Sequence, residues 1–221
     1  MLEIQKKLSN SFLALLSLPS TAMGFALSVQ ISALSWILST KYNLDFHEVG
    51  LVWAAGPIAG IIGQVTIGLI SDNVWFWGGR RRPFIIIGGF LAAMMLLALP
   101  NIDVITTALG FDGILGVAIT VALTLDLAIN VSFNPTRSII ADVTDEDNRT
   151  RGYTWMQTIS GTFGVLAYGI GAIFGNYMLI YFGAILVFIF SVFPSFSIEE
   201  PTVLDAEDKE NSTQKKTSLF E

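Results

Sequence analysis

The sequence has no cysteine, one histidine and little charge. Only 14% of its 221 residues are Asp, Glu, Lys or Arg, whereas soluble domains carry about 25%. The absence of cysteine excludes disulfides and thiol chemistry, and His47 alone cannot build a metal site. Nucleotide-binding glycine loops and nucleophile–base pairs are also missing. The sequence therefore predicts no enzyme, no cofactor, no metal and no nucleic-acid partner.

Apolar residues, in contrast, make up 52% of the chain and fall into long continuous runs. A helix of about 20 apolar residues spans a bilayer, so the runs predict an all-α integral membrane protein. Residues 1–194 are expected to form one bundle of six transmembrane helices. The acidic, Ser/Thr-rich segment 195–221 is expected to be a disordered tail. The predicted spans are 11–38, 49–70, 83–99, 113–140, 153–174 and 177–193.

The basic residues lie almost entirely on one side of this six-span arrangement, with Lys41 as the exception. The positive-inside rule assigns that side to the cytoplasm. Both termini are therefore expected to be cytoplasmic, in a multi-pass protein of a plasma or inner membrane. The basic residues on this side are Lys6, Lys7, Arg80, Arg81, Arg82, Arg137, Arg149, Arg151, Lys209, Lys215 and Lys216.

A carboxylate interrupts the fourth apolar run. An Asp at the centre of a membrane helix costs about 2.5–3.5 kcal/mol to insert. At about 100° per residue, Asn130, Asn134 and Arg137 lie within roughly 80° of Asp126. This polar stripe predicts a helix that faces a wet or protein-lined cavity. Arg137 is about 16 Å along the axis, which favours a place in a gate over a direct contact with Asp126.

The loop between the second and third spans combines one acid with several bases. Gly68 and Asp72 end the second span, and Gly79-Arg80-Arg81-Arg82-Pro83 opens the third. Simple positive-inside charge explains the arginines but not the spacing of Gly68 and Asp72. A short loop of this kind can latch to a neighbouring helix in one state and release it in another, because ion pairs near the surface are weak.

These motifs resemble the major facilitator superfamily, and within it the sucrose–proton symporters of plants and their bacterial and animal relatives. The loop from Gly68 to Arg81 resembles the superfamily's signature loop, and the resemblance covers nearly all of residues 20–175. The further motifs that carry it are Arg80-Arg81-Arg82-Pro83-Phe84, Trp53-Ala54-Ala55-Gly56-Pro57-Ile58-Ala59-Gly60, Leu125-Asp126-Leu127-Ala128-Ile129-Asn130, Pro135-Thr136-Arg137, Ala141-Asp142 and Arg149-Thr150-Arg151-Gly152.

The resemblance implies transport of a disaccharide or related glycoside by alternating access, with protons as the coupled ion. Asp126 matches the proton-coupling carboxylate of that family. Asp142 and Arg151 match gate positions of that family. The alternative is that Asp126 only ties helices together.

Four amides on different spans are candidate sugar ligands, because amides both donate and accept hydrogen bonds. They are Asn130, Gln30, Gln64 and Gln157. The alternative is interhelical hydrogen bonding, worth about 0.6 kcal/mol each.

A major facilitator has twelve spans in two halves, and this sequence supplies six. The lipid-embedded chain is therefore expected to need a second six-span half. It would be the first part of an interrupted or split transporter, a natural half that pairs with a separately encoded second half, or a homodimer, in which two Asp126 stripes would face each other. Two other functions stay open: a sugar carrier without proton coupling, and a non-transporting remnant, scaffold or sensor.

Overall fold

The structure, a computed structural model, describes residues 8–200, apart from the side chains at positions 68, 72 and 73. Within these residues, six helical stretches are long and apolar enough to cross a membrane. The predicted all-α membrane architecture is thereby confirmed. The helices are α1 (Asn10–Thr40), α2 (Phe46–Asn73), α3 (Arg82–Ala98), a 3-10 turn (Leu99–Asn101), α4 (Ile102–Leu109), α5 (Ile114–Val143), α6 (Glu146–Phe174) and α7 (Asn176–Ser197).

Several helices begin before the apolar runs do, because polar side chains cap them. Asp45 and Glu48 form a capping box at the start of α2. The Asp145 side chain accepts a hydrogen bond from the Asn148 N–H, at 3.2 Å, at the start of α6. These contacts satisfy N–H groups that a helix leaves unpaired in its first turn. α6 therefore starts seven residues before the apolar run at residue 153.

Residues 100–112, expected to be a link, are mostly helical. The chain passes from α3 through the 3-10 turn into α4, which ends where Gly110 adopts a left-handed φ of 69°. Tyr42 stabilises this break between α3 and α4. Its hydroxyl donates to the Leu99 carbonyl at 2.9 Å and accepts from the Ile102 N–H at 3.0 Å. Burial raises the pKa of Tyr42, which keeps this hydroxyl a donor.

Lys41 ties the same end of the bundle together. Its ammonium lies 3.0 Å from the Asp103 carboxylate and also donates to the Pro100 carbonyl. Desolvation opposes the charge of Lys41, but the hydrogen bonds and charge interactions with Asp103 and Tyr42 together outweigh it and raise the pKa of Lys41. The one basic residue assigned to the far side of the membrane is therefore an ion-pair partner.

The bundle is built around α1, which packs against α5, α6 and α7, while α5 also packs against α2 and α3. The core is apolar, with Phe25, Leu34 and Leu96 fully buried. Two adjacent glycines let α3 approach its neighbours closely. A Cβ at Gly88 would lie 2.0 Å from the Ser132 hydroxyl of α5, and one at Gly89 would lie 2.1 Å from the Ser191 Cβ of α7.

The segment expected to start a disordered tail is ordered at its beginning. α7 continues to Ser197, Ile198 is fully buried, and Glu200 contacts the start of α3. Burial of Ile198 in a cluster with Phe12 and Ile85 explains why the chain stays packed beyond the last apolar run. The rest of that expected tail, 201–221, lies outside the described residues, as do Lys6, Lys7, Lys209, Lys215 and Lys216.

Candidate functional site: a polar cavity between α2 and α5

The polar stripe of α5 lines a cavity of about 250 Å³. Asp126, Asn130 and Arg137 come from α5, as the stripe predicts, and Gln64 of α2 closes the opposite side. Three apolar side chains and one further amide complete the lining. The remaining lining residues are Leu27, Ile129, Phe133 and Asn134.

An amide network connects α2 to α5 across this cavity. The Gln64 amide donates to the Asn130 side-chain oxygen at 2.7 Å, and the Asn130 amide donates to the Asp126 backbone carbonyl at 2.8 Å. The Asn134 amide donates to the Gln64 backbone carbonyl at 3.1 Å. Each side-chain amide offers two N–H donors and an acceptor oxygen. The network therefore joins two helices and leaves hydrogen-bonding capacity for a ligand.

The Asp126 carboxylate fits against a helix face that carries no side chain. A Cβ at Gly56 would lie 2.9 Å from the Asp126 Oδ2, whereas one at Gly60 would lie at an ordinary 3.8 Å from the Asn130 Nδ2. Gly63 lies about one turn further along α2, and a Cβ added there would lie 3.1 Å from the Cβ of Asn130. The small-residue face of α2 is thus what admits a carboxylate between two membrane helices.

Gln30 of α1 lies beside Asp126. Its side chain is fully buried on α1, close enough to act on the Asp126 carboxylate. Neither amide atom of Gln30 has hydrogen-bond geometry with any described group, so Gln30 acts on the carboxylate through the dipole of its amide. Asp126 itself forms no ion pair among residues 8–200.

Two predicted site residues lie away from the carboxylate. Gln157 is exposed on α6 and does not line this cavity. Arg137 lines the cavity, and its guanidinium lies 5.3 Å from the Phe133 ring centre while its backbone carbonyl accepts from the Tyr153 hydroxyl at 3.3 Å. Within the described part of the chain Arg137 has no carboxylate partner.

The loop that precedes α3 is paired with the end of α5. Arg80 lies 3.0 Å and Arg81 3.3 Å from the same Asp142 oxygen, and Arg81 also donates to the Ser71 hydroxyl at 2.9 Å. These three charged side chains are only 10–14% exposed. Such partly desolvated pairs are stronger than surface pairs, so the contact fixes the loop to α5.

Fewer contacts are described for the other predicted loop and gate residues, Gly68, Asp72 and Arg151. Gly68 and Asp72 fall in the last turns of α2, with the Asp72 side chain among those not described. Arg151, at the start of α6, donates to the Asn10 side-chain oxygen of α1.

Glu200 is a contact that sequence reasoning missed. Its carboxylate accepts from the backbone N–H groups of Arg80 at 2.8 Å, Arg81 at 2.9 Å and Arg82 at 2.6 Å. α3 has no side-chain cap of its own, so this carboxylate satisfies its exposed first turn. A Cβ at Gly79 would lie 2.6 Å from the Glu200 oxygen, so a side chain at this position would displace the carboxylate. The signal in the sequence was the pair of acids, Glu199 and Glu200, that follows the last apolar residues.

Comparison with known proteins agrees with this architecture. Residues 16–219 match the model of the family described as Major Facilitator Superfamily. The chain belongs to the major facilitator superfamily. As a member with six membrane-spanning stretches, it is a multi-pass membrane protein.

Named relatives of the chain are permeases and transport proteins. The chain is 28% identical to a general alpha-glucoside permease of Schizosaccharomyces pombe over 70% of this chain and 31% of that protein. It is 29% identical to sucrose transport protein SUC4 of Arabidopsis thaliana, over 76% of this chain and 35% of that one. It is 31% identical to sucrose transport protein SUT2 of Oryza sativa subsp. indica, over 83% of this chain and 38% of that protein. The chain thus spans about a third of the length of these curated relatives.

Proposed function

We propose that this chain is the amino-terminal half of a transporter that moves a disaccharide or related glycoside together with protons by alternating access. The observation that carries the proposal is the cavity that Asp126, Asn130 and Gln64 line together. The names of the matched relatives support a glucoside or sucrose as the cargo.

Asn130 and Gln64 act as the sugar ligands in this proposal. Their amides supply both donors and acceptors, as a hydroxyl-rich ligand requires, and they are already oriented by their mutual hydrogen bond. The buried Gln30 serves Asp126 instead of the sugar. Gln157, which is exposed on α6, contacts the sugar only if the second half encloses that helix face.

Asp126 carries the proton. Burial of a carboxylate favours its neutral form, and an adjacent cation would favour the charged form. Because Asp126 has no ion-pair partner among residues 8–200, water entering the cavity can shift the balance towards the charged form. Alternating exposure of the cavity then loads a proton on one side and releases it on the other.

A second six-span half completes the site. A cavity of about 250 Å³ is below the roughly 300–1,000 Å³ of typical small-molecule sites, so this wall alone does not enclose a disaccharide. α2 and α6 are also the least buried spans, with Val65 61% and Val165 73% exposed. The partner half covers faces of these two helices.

The pairing of Arg80 and Arg81 with Asp142 acts as a gate at one end of the bundle. In the proposed orientation, with both termini in the cytoplasm, this end is cytoplasmic, and Arg137 lies between the gate and Asp126. Release of the loop from α5 accompanies opening to that side. Arg151, which joins α6 to α1 through Asn10, stabilises the same end.

Uptake of labelled sucrose into vesicles that hold this chain with its second half tests the proposal. An inward proton gradient should drive uptake, and Asp126→Asn should abolish the response to the gradient. Asp112→Asn, a carboxylate outside this cavity, is the matched control and should transport normally. Undiminished gradient-driven uptake in Asp126→Asn would exclude the coupling role. Uptake of no glycoside by the wild type would refute the transport function.

A further inference from the structure

The loop between α2 and α3 contains a tight turn with an unusual residue at its tip. Phe76 and Gly79 exchange two backbone hydrogen bonds of 3.1 Å. The two residues between them, Trp77 and Gly78, have φ values of 49° and 72°. Positive φ at both central positions is the property of a type I′ turn.

Tryptophan is a poor choice for the first central position of such a turn. Asn, Asp and Gly are preferred there, and a bulky residue at positive φ is a true outlier. The turn geometry therefore does not explain Trp77. Packing within the chain does not explain it either, because the side chain is 72% exposed.

The exposed indole has aromatic neighbours at its base. The Trp77 ring lies 5.8 Å from the Phe76 ring, which in turn meets the Phe84 ring of α3 edge-on at 5.4 Å. Val74 and Trp75, which lead into the turn, are 42% and 43% exposed. The loop thus presents a supported apolar tip instead of a polar one.

This apolar tip connects two helices that are long and apolar enough to cross a membrane. Tryptophan is enriched at the membrane–water interface, because its ring is apolar and its N–H is polar. A cation accompanies it: the Arg82 guanidinium donates to the carbonyls of Gly78 and Ser195 and has no carboxylate partner in the described part of the chain. Cation and indole together are complementary to the phosphate and glycerol region of a phospholipid.

We propose that the Phe76–Gly79 turn is a lipid-interface anchor, in which the Trp77 indole inserts at the headgroup level of the bilayer and Arg82 faces the lipid phosphates. The anchor would hold the loop that carries Arg80 and Arg81 at a fixed depth. This inference requires only that α2 and α3 span a membrane and does not depend on sugar or proton transport.

Fluorescence quenching of the full chain in phospholipid vesicles tests the anchor. In a variant with Trp77 as the only tryptophan (Trp36, Trp53, Trp75 and Trp155→Phe), we expect stronger quenching by lipids brominated near the headgroup than near the chain end. Aqueous iodide should quench this emission much less than that of a free tryptophan analogue. Strong iodide quenching without bromolipid quenching would show an aqueous loop, and no quenching by either would show a protein-covered indole. Either result overturns the proposal.

Trp77→Asn in the otherwise native chain is the matched control. Asn keeps the left-handed backbone of the turn and removes only the indole. Subtracting the emission of Trp77→Asn from that of the native chain gives the emission of Trp77. We expect lipids brominated near the headgroup to quench this difference more strongly than lipids brominated near the chain end. This comparison leaves the four other tryptophans in place, so it decides the question even if the single-tryptophan variant does not fold. A difference signal without bromolipid quenching contradicts the anchor.

Discussion

Gly88 is the position at which one methyl group should disturb the helix packing most clearly. In Gly88→Ala the new Cβ would lie 2.0 Å from the Ser132 hydroxyl and 2.8 Å from the Ala128 backbone carbonyl. The hydroxyl can rotate away, but the carbonyl belongs to α5 and moves only with the helix. To reach an ordinary contact of at least 3.4 Å, α3 must therefore move away from α5.

Overpacking of this kind costs about 1–3 kcal/mol, and the better helix propensity of Ala offsets up to about 1 kcal/mol. We expect Gly88→Ala to lower the free energy of unfolding by roughly 1–2 kcal/mol. Thermal unfolding of the purified chain in detergent, followed by circular dichroism, measures this loss as a lower Tm. Ser132→Ala in the same chain should restore only part of the stability, because the backbone contact remains.

Gly161→Ala is the control for the helix-propensity term. Its Cβ would meet nothing within 4 Å on α6, so we expect unchanged or slightly higher stability. A Gly88→Ala variant that unfolds at or above the Tm of the native chain would refute the close approach of α3 to α5. Equal losses in Gly88→Ala and Gly161→Ala would show that the effect is not one of packing.

Three further substitutions test the site and the gate. Gly56→Ala should reduce sugar transport by displacing the Asp126 carboxylate, while Gly60→Ala, whose Cβ has room, should transport normally; equal transport in the two variants would contradict this geometry. Glu200→Ala should lower the free energy of unfolding by about 1–2 kcal/mol, the value of a helix cap. Glu200→Gln should lose less stability because it keeps an acceptor oxygen. Identical unfolding of both variants and the native chain would count against the cap. Asp142→Asn removes the carboxylate that the poorly solvated Arg80 and Arg81 share, so it should cost on the order of 3 kcal/mol. An unchanged unfolding midpoint would show that the pairs are not formed.

The stripe on α5 illustrates how far a sequence pattern reaches. Helical periodicity depends on the backbone alone, so the positions of Asp126, Asn130 and Arg137 on one face follow from their spacing. In the structure the three line one cavity. The length of the apolar runs likewise follows from the thickness of the bilayer, and six stretches that can span were predicted and found.

What faces the stripe is a matter of tertiary structure. Periodicity in α2 shows a small-residue face, but only the packed helices show that Gly56 meets the Asp126 carboxylate whereas Gly60 leaves space. The same holds for Gln30. Its sequence position is equally compatible with a sugar ligand, and only its complete burial beside Asp126 separates the two roles.

The sequence by itself determined the helical membrane class, the approximate spans and the polar face of α5, because these depend on composition and on local periodicity. Only the tertiary structure decided that Arg80 and Arg81 share Asp142 and that Glu200 caps α3. Those contacts join residues about 60 and 120 positions apart, and an ionisable side chain in a loop has several possible partners until packing brings one within reach. Long-range pairing of charges is set by how helices approach each other, which no local pattern in the chain encodes.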